Sequence, residues 1–345
     1  SSSARYDLTS SGLPYFPLRD LPVRLRELEL SGTGAYGYEP LQRAIAGRYG
    51  VPVECIVPAM GTSMANHLVM AALLEPGDEA LVEFPTYEPL LAVAGYLRAG
   101  VRRFVRRRED GFGVDPAEVE RQAGPRTRLI VLTNPHNPTS ALAEERALRE
   151  VGEVAQRVGA RVLVDEVYLD AVFAGAPPTA FSLGDHFVVT NSLTKVYGLN
   201  GLRCGWIFAE PALAQRLWRL NELFSNIGVH AAELLSVAAF RHLDHIAARS
   251  RGVLDANRAA LDAFFRSRAD LEWLEHRFGT VSFPRLPGGG VDRMCTRLKD
   301  RYETSVVPGR FFGMADHFRV GLGTEPATFA AGLERLGRAL DETAA

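Results

Sequence analysis

The sequence predicts an α/β fold in which a mostly parallel sheet is covered by helices on both faces, followed by a smaller α+β unit. Three observations carry this. Short, near-continuous apolar runs alternate with helix-like segments between residues 55 and 208. Polar residues gather directly behind several of those runs, where the carboxyl ends of parallel strands would form a ligand crevice. After Pro211 the pattern changes to long helical stretches and then to mixed short strands and helices.

Taken in order, residues 55–59 form an apolar strand, and 63–74 have helical spacing that Glu75-Pro76-Gly77-Asp78 ends. Residues 80–84 read as a strand with a helix after Tyr87. Residues 129–133 (Leu-Ile-Val-Leu-Thr) and 161–165 (Arg-Val-Leu-Val-Asp) read as buried strands on either side of a helix over 144–158. Two more strands are expected at 187–191 and 204–208. Helices are expected at 212–224, 231–240 and 246–268, the last bridging two domains. The final part holds strands at 280–283, 305–307 and 318–320 and helices at 291–302 and 325–340. No internal repeat appears.

The chain has 345 residues, 47% hydrophobic and 23% charged, with a formal net charge of −2. That balance suits a soluble globular protein and gives no reason to expect a nucleic-acid or anionic-membrane partner. Arg102, Arg103, Arg106, Arg107 and Arg108 form a basic cluster, read as a solvated strand edge or loop because acidic residues follow at once. The cysteines, Cys55, Cys204 and Cys295, are far apart and lack metal-type spacing, which fits a reducing, cytoplasmic compartment and no metal site. No apolar run reaches membrane-spanning length. The opening Ser1-Ser2-Ser3 lacks a Met and an apolar signal core, and reads as a trimmed start with a short native N-terminus missing.

Several residues carry chemistry. Lys195 follows a strand in Asn191-Ser192-Leu193-Thr194-Lys195. A desolvated lysine near other cations becomes a nucleophile toward carbonyls, although alone it reads as a surface residue. Ser192 and Thr194 offer hydroxyls to a phosphate, and Arg203 offers a bidentate clamp. Asp165 closes a buried strand, so it is either structurally paired or functional. Gly61-Thr62-Ser63 opens a helix where an anion would sit, or is a plain helix start. Tyr87 could stack on a flat ring or pack in the core.

These segments together resemble the class I/II aminotransferases, pyridoxal-phosphate (PLP) enzymes of fold type I. The resemblance rests on Asn134-Pro135-His136-Asn137-Pro138-Thr139, Val164-Asp165-Glu166-Val167-Tyr168, Ser192-Leu193-Thr194-Lys195 with Gly201-Leu202-Arg203 behind it, Val307-Pro308-Gly309 with Phe318-Arg319-Val320-Gly321, and Tyr36-Gly37-Tyr38-Glu39-Pro40-Leu41. It spans about residues 30–340 in the family's order. It implies a large domain with a mostly parallel mixed sheet (36–242) and a small α+β domain built from both termini (1–35 and 243–345).

It also implies roles. Lys195 carries PLP as an aldimine and then shuttles a proton. Asp165 pairs with the pyridine nitrogen, Asn137 and Tyr168 bond the ring oxygen, and Tyr87 stacks on the ring. Gly61, Thr62, Ser63, Ser192, Thr194 and Arg203 hold the phosphate. Arg319 clamps the substrate α-carboxylate, with Asn137, Ser11 and Gly12 on the substrate side. The implied reaction moves an α-amino group between an L-amino acid and a 2-oxo acid in a homodimer. The alternatives are a C–S β-lyase or decarboxylase on the same fold, and more remotely a PLP-binding regulatory domain. Two departures stand out. Ser140 replaces the family's Gly after Thr139, and Tyr36, the candidate for a neighbouring subunit's phosphate, has unusual spacing to Leu41. Leu13, Tyr15, Phe16, the stretch 226–230 and the surroundings of Phe311 would form the side-chain pocket. Their apolar tone suggests neutral or aromatic substrates.

Overall fold

Alternating apolar runs become a seven-stranded sheet in the computed structural model, which describes residues 4–32, 37–225, 228–275 and 277–344. Its strands are β2 (Ile56–Met60), β3 (Glu79–Phe84), β4 (Gly100–Val105), β5 (Thr127–Thr133), β6 (Arg161–Asp165), β7 (Phe187–Ser192) and β8 (Cys204–Phe208). A short β1 (Tyr6–Asp7) precedes them. The order across the sheet is β2-β8-β7-β6-β5-β3-β4, and β8 alone runs antiparallel to its neighbours. Helices α1 (Glu39–Tyr49), α2 (Gly61–Leu73), α3 (Glu88–Tyr96), α4 (Pro116–Gln122), α5 (Glu145–Val158), α6 (Pro211–Asn221) and α7 (His230–Arg241) accompany these strands.

Because both faces of the sheet are covered, successive strand residues are apolar whichever way they point. Ile130, Leu132, Val162 and Val164 belong to one core cluster, and Leu129, Val131 and Leu163 to another with helix residues Leu68, Val69 and Leu90. α5 shows the matching one-sided pattern, burying Leu148, Val151, Val154 and Ala155 and stopping at Gly159, whose φ of 72° forms the left-handed cap.

The remainder comprises α8 (Leu243–Arg266), β9 (Val281–Ser282), α9 (Val291–Tyr302), β10 (Thr304–Ser305), β11 (Val307–Pro308), β12 (Phe318–Gly321) and α10 (Pro326–Ala344). β1 pairs in parallel with β10, and β12 lies between β11 and β9. The single strand expected at 305–307 is therefore two, switching sheets at buried Val306.

The basic cluster also differs from expectation at one residue. β4 is an edge strand, but Arg106 behind it is fully buried. Its Nη1 donates to Glu83 Oε2 at 2.8 Å, and its Nε donates to the Phe112 carbonyl at 2.7 Å. Glu83 in turn accepts from the Thr133 N–H at 2.8 Å. This pair ties the ends of β3 and β5 together where the polar loops begin.

Candidate active site

The carboxyl ends of β3, β5, β6 and β7 meet the start of α2 at a cavity of about 190 Å³. Thr62, Ser63, Tyr87, Asn137, Asp165, Tyr168, Ser192, Thr194, Lys195 and Arg203 all line it. Arg203 reaches this edge because β8 runs backwards, so its amino end lies beside the carboxyl ends of the parallel strands.

Asp165 ends β6 and is buried. Its Oδ2 accepts from Asn66 Nδ2 at 2.8 Å, and its Oδ1 accepts from the Val167 N–H at 3.1 Å. Burial pushes its carboxyl up to about 6 against the pull of these donors and of Lys195. Burial likewise lowers the proton affinity of the Lys195 amine, and the Arg319 and Arg203 cations lower it further, while Tyr87 and Asp165 act the other way. Asn137 Nδ2 donates to the Tyr168 hydroxyl at 3.4 Å, and that hydroxyl donates to Ser11 Oγ at 2.8 Å.

Arg319 lies on β12 and is buried. Its Nη1 donates to Asn137 Oδ1 at 2.9 Å and its Nη2 to the Thr9 carbonyl at 2.7 Å, while its Nε has no partner. Phe312 lies under the guanidinium at 5.2 Å from ring centroid to Cζ. Gly12 packs against Lys195, whose carbonyl accepts from the Leu13 N–H at 2.8 Å.

At the other end, Thr62 Oγ1 donates to Ser192 Oγ at 2.9 Å, and the Thr194 hydroxyl is buried without a partner. Gly61 opens the thirteen-residue α2 at φ 79°, and any Cβ there would collide with the Arg203 guanidinium. A helix amino terminus, three hydroxyls and a guanidinium thus converge as an anion cradle. The fit to PLP is good: an anion cradle, a buried carboxylate, a lysine and an aromatic ring all line one cavity.

Asn66 was missed by reasoning from sequence. It lines the cavity one helical turn after Thr62, and that i,i+4 spacing was the available signal. Ser140 takes φ 66° despite its side chain, and its Oγ donates to the Val281 carbonyl at 2.8 Å where Gly279 leaves room. Leu13 and Phe16 are buried, whereas Tyr15 and Phe311 are exposed. Tyr36, Asn226 and Ile227 lie outside the described residues.

The model of aminotransferase class I and II matches residues 27–336. The chain belongs to that family. Its enzymes depend on PLP, and the chain is a PLP-dependent enzyme of the aminotransferase type. Capreomycidine synthase of Streptomyces vinaceus is 30% identical over 98% of the chain and 90% of its own length. The arginine–pyruvate transaminase of Pseudomonas aeruginosa is 31% identical over 84% of the chain and 78% of its own. A PLP-dependent aminotransferase structure from Streptococcus suis superposes with a TM-score of 0.92 at 27% identity, covering 99% of this chain and 94% of that one.

Proposed function

We propose that this enzyme transfers the α-amino group of an L-amino acid to a 2-oxo acid, with Lys195 as the covalent anchor and proton carrier. The observation that carries the reading is the shared cavity: a half-buried lysine of lowered proton affinity stands among Asp165, Asn137 and Tyr168, with buried Arg319 hydrogen-bonded to Asn137. PLP, when bound, supplies an electron sink for the electrons released at the substrate α-carbon.

The chain's own residues do the rest. Asp165 would hold a proton at the ring nitrogen. Asn137 and Tyr168 would bond the ring oxygen, and Tyr87 would cover one face. Thr62, Ser63, Ser192, Thr194 and Arg203 would hold the phosphate at the α2 amino terminus. Arg319 orients the α-carboxylate, a task suited to a rigid bidentate donor. Lys195 would hold the cofactor covalently, and its Nζ, when free, would accept and return the substrate α-proton. Residues 1–35 and 243–345 would form the small domain beside a large domain of 36–242.

A homodimer in the cytoplasm completes the proposal. Met60, Tyr96, Leu223 and Phe224 are exposed apolar side chains, and His67 makes ring contacts with both Tyr96 and Phe224. Three unpaired cysteines suit a reducing compartment. The solution mass of the purified protein checks the dimer.

The reaction itself is tested by mixing PLP-loaded protein with single amino acids and no oxo acid, using arginine, neutral and aromatic members. The expected result is about one oxo acid per subunit, then arrest until pyruvate is added. Continuous release of ammonia or carbon dioxide without an acceptor would replace the transferase reading with a lyase or decarboxylase.

A further inference from the structure

We propose that Asn66 is a positioning residue that keeps Asp165 in its ionised, acceptor-only form, and that Thr190 holds the Asn66 amide in place for that bond. This rests on the reading of Asp165 as the partner of the cofactor's ring nitrogen.

All three side chains are buried, so their hydrogen bonds are not averaged by water. Thr190, on β7 directly beside Asp165 in the β6–β7 register, donates from Oγ1 to Asn66 Oδ1 at 2.7 Å. That contact satisfies the amide oxygen, while Nδ2 faces Asp165 Oδ2 at 2.8 Å. The flipped amide would set Oδ1 against the carboxylate, two acceptors at hydrogen-bond distance, and would be tolerated only if Asp165 carried a proton. The ionised carboxylate and this orientation therefore favour each other, and the Thr190 hydroxyl holds the Asn66 side chain in place by satisfying its oxygen.

The bond matters because burial works in the opposite sense at this carboxyl. Besides Asn66, the groups acting on Asp165 are the Val167 N–H and Lys195, which favour the anion; Tyr168 and Glu166 couple to it electrostatically. Glu166 is itself pushed up to about 8 by burial, so near pH 7 it is mostly neutral and adds little opposing charge. A protonated Asp165 could not hold a proton on the ring nitrogen, and the ring would lose strength as an electron sink.

The test loads the enzyme with PLP labelled with 15N in the ring and reads the nitrogen chemical shift, which separates protonated from neutral pyridine. Wild type should sit at the protonated position. Asn66→Leu should move the signal toward neutral, and isosteric Thr190→Val should move it the same way by less. Turnover should fall about ten- to a hundredfold in Asn66→Leu, the worth of one hydrogen bond to a charged group. Should Asn66→Leu fail to fold, Thr190→Val decides. If Asp165→Asn moves the signal while folded Asn66→Leu and Thr190→Val leave it unchanged, the Asn66 proposal is overturned and the Asp165 reading stands. If Asp165→Asn also leaves it unchanged, the Asp165 reading fails first.

Discussion

At the inner end of the cavity, Asp165, Asn66, Asn137, Tyr168 and Arg319 are buried, and each hydrogen-bonds another protein group. At its mouth, Tyr87 is 41% exposed, Ser63 and Arg203 face solvent, and the Thr194 hydroxyl has no partner. The inner end is organised before any ligand arrives. The mouth presents donors that an arriving phosphate would satisfy. Under the proposed roles binding and chemistry are separable in space: groups that would set charge and orientation are locked by packing, while Ser63 and Arg203 are left accessible to an anion.

The largest expected effect lies at the inner end. Folded Asp165 keeps its proton up to about pH 6, against 3.8 for an ordinary aspartate. The native state therefore binds more protons in this window, and the stability of PLP-free protein falls as pH rises through it, by about 3 kcal/mol. Asp165→Asn should flatten that part of the profile, as read by denaturant unfolding at successive pH values. Next, Arg319→Lys should lower kcat/KM for the amino acid about ten- to a hundredfold, because an ammonium cannot replace the fork that spans Asn137 and the substrate carboxylate. Arg203→Ala, at the mouth, should weaken PLP binding about tenfold while leaving unfolding of the PLP-free protein within about 0.5 kcal/mol, since the side chain is exposed. Equal loss of stability in the Arg203 and Arg319 variants would erase the distinction between the two ends. The smallest change is expected at Ser140→Gly. Relief of a left-handed φ offsets loss of the bond to Val281, so stability should stay within about 1 kcal/mol.

Legibility from sequence followed the range of the interactions. β6, β8 and α9 have the bounds that their apolar patterns predict, because a doubly covered strand and an amphipathic helix write their burial into consecutive residues. Lys195, Asp165 and Asn137 stand out through position behind such strands and through family resemblance. α4 and β4 escaped explicit assignment: α4 is short and polar, and β4 carries arginines on a sheet edge. The burial of Arg106 depends on Glu83, 23 residues away, which no local pattern records. Asn66 lies 99 residues from Asp165, and only its helical offset from Thr62 hinted at a shared face.

The reversed direction of β8 has a consequence for how the molecule assembles. β7 and β8 are joined by residues 193–203 alone, so Lys195 and Arg203 are brought together by one short loop closure. The parallel pairings of β3, β5 and β6 must instead close long stretches of chain, at greater entropic cost. Lys195 and Arg203 thus sit in the connection of the most local pairing in the central sheet, the one with the smallest loop-closure cost.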